Sequence, residues 1–142
     1  MSAFEISSDP ARLDVDWVHE RLSADTYWAD GRSRERVERA IACSIPYGVF
    51  ATADGRQVAF ARVVTDQTTF AWLSDVYVDR SVRGKGVGKL LMERIMADVE
   101  EFGLRRMVLA TDDAHELYRR YGFDAHPKPE MWMERRWEDN PA

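Results

Sequence analysis

Apolar residues fall at helical spacing in two early segments: Val15, Val18 and Leu22 within 14–22, and Val37, Ile41 and Ile45 within 33–45, where Ser33 is placed to cap. These predict two amphipathic helices. Between them Tyr27-Trp28-Ala29-Asp30-Gly31 is aromatic and then turn-like, a loop suited to touching a ligand. From residue 47 the pattern shifts to β-rich runs: 47–52 and 57–65 flank an Asp54-Gly55 turn, and 69–78 follows. This reads as an antiparallel meander with Phe60, Arg62 and Val64 on one face and Ala61 and Val63 on the other. Val87, Leu91, Ile95, Val99 and Phe102 then mark a helix with one stripe on the sheet, ended by Gly103. A short strand at 106–110, a helix at 112–121 and strands at 122–125 and 131–136 complete the prediction. Strand 106–110 returns beside the earlier strand, a crossover whose natural hand is right. Residues 139–142 read as a frayed tail.

The segment Val78-Asp79-Arg80-Ser81-Val82-Arg83-Gly84-Lys85-Gly86-Val87-Gly88-Lys89 joins a strand to a helix through a basic, glycine-rich turn. Glycine permits positive φ and close backbone approach, and the first helical turn leaves N–H groups without intrahelical partners. The helix dipole, Arg83, Lys85 and Lys89 add positive potential, so the turn suits a pyrophosphate. It is not a P-loop: aligning Gly88-Lys89 puts Arg83 at the first glycine and Leu90 at the hydroxyl position. Nor is it a dinucleotide fingerprint, since a Gly-x-Gly-x-x-Gly frame from Gly84 meets Lys89 at its third glycine. A turn that merely starts a helix is the plain alternative.

A second motif, Ala114-x-x-Leu117-Tyr118-x-x-Tyr121-Gly122-Phe123, follows about 30 residues later, room for one helix and one strand. Arg83-x-x-Gly86-x-Gly88 and this second motif together resemble the signatures of the GNAT superfamily of N-acetyltransferases. The resemblance implies an α/β (α+β) fold: a mostly antiparallel mixed sheet of about six to seven strands with about four helices on its faces. It also implies one domain over 1–142, acetyl-CoA as cosubstrate and no metal. By resemblance, Val76, Tyr77 and Val78 are the strand that pairs with pantetheine. The loop of Arg83, Gly84, Lys85, Gly86, Val87, Gly88 and Lys89 binds the diphosphate, and Tyr118 stands near the sulfur as proton donor. Many family members carry asparagine where this chain has Thr111, whose hydroxyl is the candidate replacement contact.

The chemistry needs a neutral amine, yet a lysine-like amine has a pKa of about 10.4. A base or water path is therefore required. Asp75, on the key strand and pointing away from Val76 and Val78, is one candidate, with a structural strand carboxylate as its alternative. His115, three residues before Tyr118 on one helix, is another, with a surface histidine as its alternative. Tyr118 itself could be an aromatic plug. On the acceptor side Tyr27, Trp28, Arg62, Asp66, Asp75 and Trp132 are candidates. Aromatics beside carboxylates could hold a cationic amine, whereas Arg62 could clamp an acceptor carboxylate; both remain open.

Composition narrows the partners. Twenty basic against 25 acidic residues, a net charge of −5, disfavour nucleic acid. One cysteine, Cys43, excludes an internal disulfide and is expected to pack within its helix. No apolar stretch approaches bilayer length, so no membrane association and a cytoplasmic location are expected. His19, His115 and His126 lack ligand spacing, so no metal site is expected. The implied partner is a small-molecule or peptide amine, and the aromatic Met131-Trp132-Met133 strand is compatible with a homodimer. A non-catalytic acyl-CoA sensor is the alternative function.

Overall fold

The computed structural model describes residues 2–142. Its core is a five-stranded sheet in sequential order: β1 (Phe4–Ser7), β2 (Ile45–Ala51), β3 (Gln57–Thr65), β4 (Phe70–Val78) and β5 (Arg106–Val108). The first four pair antiparallel and β4 pairs parallel with β5, so the sheet is mixed as expected. Helices α1 (Val15–Asp25) and α2 (Arg34–Ala42) cover one face, and α3 (Val87–Glu100) covers the other. The short α4 (His115–Arg119) follows β5.

Local chemistry sets these boundaries. Asp14 accepts the Trp17 N–H to cap α1, and Ser33 accepts the Arg36 N–H to cap α2 as its sequence position predicts. Residues 59–63 alternate across the sheet. Ala59, Ala61 and Val63 join the core under α3 with Leu91, Met92 and Ile95, while Phe60 joins Val18, Leu22, Val37 and Ile41 under α1 and α2. Tyr47 ties β2 to α3 by donating its hydroxyl to Asp98 at 2.9 Å.

Several expectations are corrected. Five strands form rather than six to seven, because 122–125 and 131–136 are not strands. Pro127 and Pro129 interrupt that region, Pro129–Met131 closes a 3-10 turn, and β5 is only three residues long, so little edge is presented for pairing. Strand-forming residues make a strand only where a partner backbone exists. Conversely β1, whose four residues are too few for periodicity to register, pairs with β2 from Phe4↔Ala51 to Ser7↔Gly48. Helix α2 stops at Ala42, so Ile45 starts β2 and Cys43 is an exposed C-cap rather than a packed helical residue. The helix after β5 begins at His115 instead of 112, since the Thr111 hydroxyl accepts the Asp113 and Ala114 N–H groups in a capping turn.

Ile95, fully buried at the centre of the α3 stripe, tests this packing. Ile95→Ala is expected to destabilise the fold by about 2–5 kcal/mol, read as a lower urea midpoint with an unchanged slope.

Candidate active site

The site begins with a fault in β4. Across β3 and β4 the register runs Phe60↔Tyr77 and then Arg62↔Ser74, so β4 carries one extra residue there. Asp75 sits in this bulge with φ 56°, a left-handed conformation uncommon for a residue other than glycine. The extra residue changes which side chains face which way. Ala71 and Leu73 point to the α3 core, and after the bulge Val76 and Val78 do so, while Tyr77 joins the α1–α2 core. Pairing with β5 ends at Trp72↔Val108, six residues before β4 ends at Val78. The two parallel strands therefore part, and the second half of β4 has a backbone edge that β5 does not cover.

At the end of that edge stands the glycine turn. Asp79 accepts the N–H and hydroxyl of Ser81, folding Arg80–Val82 into a 3-10 turn, and buried Val82 anchors it. Gly84 and Gly86 follow at φ 81° and 82°, values that disfavour a side chain. Gly86 is the N-cap of α3 and has no side chain to satisfy the first-turn N–H groups. Those donors remain available to an anion, at the positive end of a 14-residue helix. Val87 turns its side chain into the core, so only its backbone can serve the turn. Lys85 is exposed, and Lys89 lies 3.8 Å from Glu93 one turn along. Arg83 folds back, donating Nε–H to the Val78 carbonyl at 3.0 Å with its guanidinium 5.7 Å from the Tyr77 ring centroid. The Tyr77 hydroxyl donates to Asp25 at 2.6 Å.

A cavity of about 810 Å³ opens beyond the divergence of β4 and β5, with Trp72, Val108, Thr111, His115 and Tyr118 in its lining. The glycine turn lies outside it. Tyr118 is largely buried, and burial first, then Tyr27 and Asp113 nearby, push its phenol up to about 12. His115 is exposed one turn away. Tyr27 accepts the Asp112 N–H through its hydroxyl at 2.9 Å, linking the α1–α2 loop to the start of the α4 region.

On the opposite sheet face lies a compact ionic cluster. Asp75 Oδ2 accepts from Arg62 Nε at 2.6 Å and from Arg32 Nη1 at 2.7 Å, and Oδ1 accepts from Trp28 Nε1 at 3.1 Å. The Asp75 side chain is 1% exposed. Burial pushes its carboxyl up, but the charge of Arg62 and the charge and hydrogen bond of Arg32 outweigh it, so the group is held below its ordinary range. Trp28 in turn meets Tyr27 edge-on, ring centroids 5.0 Å apart.

Of the acceptor-side candidates, Tyr27, Trp28, Arg62 and Asp75 come together, and Asp66 and Trp132 do not. Asp66 spends its carboxylate on its own turn, accepting the Thr68, Thr69 and Phe70 N–H groups and the Thr69 hydroxyl. Trp132 stacks on Phe70 at the start of β4, 6.5 Å between centroids. Phe70 is five residues from Asp75, about 16 Å of strand. Asp75 points away from Val76 and Val78, as alternation requires, but as an arginine-bound ion rather than a free base. Arg32 was not foreseen: it follows the turn residue Gly31, and no local pattern separates it from the other arginines of that region.

A family model for the acetyltransferase (GNAT) family matches residues 15–123. The chain is 47% identical to a Xanthomonas campestris pv. campestris protein whose crystal structure is described as belonging to the GNAT family, with TM-score 0.91 over 96% of this chain and 95% of that one. It is 36% identical over 128 residues to serotonin N-acetyltransferase 2, chloroplastic, of Oryza sativa subsp. japonica, covering 87% of this chain and 63% of the rice protein. It is 37% identical over 73 residues to GCN5-related N-acetyltransferase 1, chloroplastic, of Arabidopsis thaliana, covering 51% of this chain and 37% of that protein. The chain thus spans less than two thirds of the length of either plant relative. This protein belongs to the GNAT acetyltransferase family.

Two substitutions test the site. A Cβ at Gly88 would meet only Val78 Cγ2, at an ordinary 3.8 Å. Gly88→Ala should therefore leave the melting temperature unchanged yet weaken acetyl-CoA binding about tenfold or more in calorimetry, if a diphosphate packs on that turn. Asp75→Asn leaves two guanidiniums facing a neutral amide. It should cost about 3–5 kcal/mol in denaturant unfolding, whereas a free catalytic base could be removed with little loss of stability.

Proposed function

We propose that this protein moves an acetyl group from acetyl-CoA to a primary amine by direct attack, with both substrates bound together. The observation that carries the reading is the parting of β4 from β5 ahead of a bulge in β4, with an uncapped, glycine-rich helix start after the strand. An uncovered strand edge suits a ligand with amide groups in line, and the open α3 donors suit a diphosphate. Coenzyme A combines both along one flexible chain. Its acetyl thioester supplies the carbon to which the amine nitrogen bonds as the C–S bond breaks.

The residues of this chain would then act as follows. Gly84, Lys85, Gly86, Val87, Gly88 and Lys89 hold the diphosphate through backbone N–H groups and positive charge. The Val76 and Val78 backbones lie along pantetheine, where N–H groups can stabilise charge developing on the carbonyl oxygen. Arg83 supports the strand end by holding the Val78 carbonyl. Thr111 is engaged in capping, and its remaining contribution to the coenzyme would come through the turn it shapes. Tyr118 donates a proton to the departing sulfur. With a pKa of about 12 it stays protonated across the working range.

Asp75 takes a different part from the base first considered for it. A carboxylate held below its ordinary pKa by two arginines is a weak proton acceptor, so it acts as a positioning residue for Arg32, Arg62 and Trp28. The amine's proton leaves to water, with His115, three residues before Tyr118 on α4, as the candidate relay. The names of the plant relatives, both N-acetyltransferases, support nitrogen as the acceptor atom. The acyl-CoA sensor reading gains no observation of its own.

Tyr118→Phe should bind acetyl-CoA with unchanged affinity while kcat falls about 100-fold, measured as thiol release. For the unaltered protein, kcat/KM should rise with pH as the acceptor amine loses its proton and show no descending limb up to about pH 10. The sign follows from Tyr118: its required form is the protonated one, and a raised pKa moves the loss of that form to higher pH. An unchanged rate in the phenylalanine variant, or a descending limb near neutrality, removes Tyr118 from this role.

A further inference from the structure

Two arginines on one buried carboxylate are more than charge balance requires. Asp75 carries one negative charge and its partners Arg32 and Arg62 two positive ones, so these three side chains sum to +1. Both guanidiniums are themselves mostly buried, with side-chain exposures of 11% and 16%. One arginine would neutralise the carboxylate, and a second is costly to desolvate unless another acceptor answers it. Neither arginine spends its fork on Asp75. Each gives a single N–H to the same oxygen, Oδ2. Among the described residues, Arg62 Nη1 and Nη2 and Arg32 Nη2 have no protein acceptor, and none of the three is sealed from solvent.

The surroundings narrow what could answer them. The Trp28 indole is fixed by its bond to Oδ1 of the same carboxylate the arginines share, and Tyr27 meets Trp28 edge-on, so aromatic surface adjoins the cluster. The backbone oxygen of Ala142, 110 residues along the chain, accepts from Arg32 Nε at 3.0 Å. An oxygen arriving from outside the cluster is thus already accommodated there. Asp75 is also the residue that makes the β4 bulge, and Val76 follows it directly, so an anion held by Arg62 lies within a few residues' span of the strand segment assigned to the thioester.

We propose that Arg62 and Arg32 bind the carboxylate of the acceptor, and that the acceptor is a small primary amine bearing a carboxylate a few bonds from its nitrogen, as in a free amino acid. This rests on the amine-acetylation reading above. A planar guanidinium edge pairs with a carboxylate through two parallel N–H···O bonds, which fixes orientation as well as affinity. Asp75 is then the group that aims the two forks, and Trp28 and Tyr27 flank the acceptor's side chain. The rice relative's name, serotonin N-acetyltransferase, describes an amine without a carboxylate, so the inference separates this chain from that relative's printed specificity.

The test uses matched acceptors on the full chain: 5-hydroxytryptophan against serotonin, and β-alanine against β-alaninamide, compared at equal concentrations of neutral amine. The carboxylated member of each pair should have kcat/KM about tenfold higher or more. Arg62→Gln should remove that preference through KM while leaving acetyl-CoA affinity, read by calorimetry, unchanged. Because that variant exposes Asp75 to a lost partner and could unfold, binding to the unaltered protein is measured as well. With coenzyme A present, N-acetyl-β-alanine should quench tryptophan fluorescence saturably and N-acetyl-β-alaninamide should not. Equal or better turnover of the uncharged members, or equal quenching by both products, overturns the proposal. Loss of acetyl-CoA binding alone, with selective quenching retained, strikes the acetylation reading and leaves the anion site standing.

Discussion

Asp75 holds a left-handed backbone angle that costs a residue of its type on the order of 1–3 kcal/mol, and its carboxylate is buried against two guanidiniums and an indole. Each half of this arrangement supports the other. The extra residue in β4 turns the Asp75 side chain toward the α1–α2 face, and the ion cluster on that face holds the bulge in place. The bulge also shifts the register against β3, so the sides of Leu73 and Val76 coincide although they are three residues apart. A regular strand could not place both in one core. Pairing with the short β5 ends at Trp72, three residues before this fault, so the bulge lies on the uncovered edge of β4 that leads to the glycine turn.

The two faces of the sheet consequently have different chemistry within one short stretch of chain. On the α3 side, Val76 and Val78 continue the apolar core up to an uncapped helix start, whose unpaired donors and dipole favour an anion. On the other side the same strand meets arginines and aromatics. A coenzyme laid along the free edge and an acceptor resting on the arginine cluster would approach each other across the thickness of a single strand. Tyr118 reaches the area from a third direction, on α4, and Tyr27 joins its neighbourhood to the acceptor face through the Asp112 N–H. Burial raises the Tyr118 pKa while arginine charge lowers that of Asp75, so the phenol is held in its protonated form and the carboxyl in its ionised form.

Much of this was readable in the chain before any coordinates. The stripes at Val18 and Leu22, at Val37 and Ile41, and at Leu91 and Ile95 each recur at a period set by helix geometry, so their elements and buried faces follow from local pattern. The glycine turn and the Leu117-Tyr118 motif were equally plain, because positive φ and close backbone approach restrict residue choice strongly. Ser33 announced its helix for the same reason: a cap is a contact between neighbours in sequence.

What tertiary structure alone decided were contacts between residues far apart in the chain. Arg32 reaches Asp75 across 43 positions, and nothing adjacent to Arg32 encodes that pairing. Asp66 was drawn away by its own turn and Trp132 by Phe70, although both residue types suited an acceptor site. The strand expected over 131–136 found no strand edge to join, while four residues at 4–7 found one. Periodicity states what a segment can bury; whether a neighbour's backbone and charge are present to receive it depends on the folding of the whole chain.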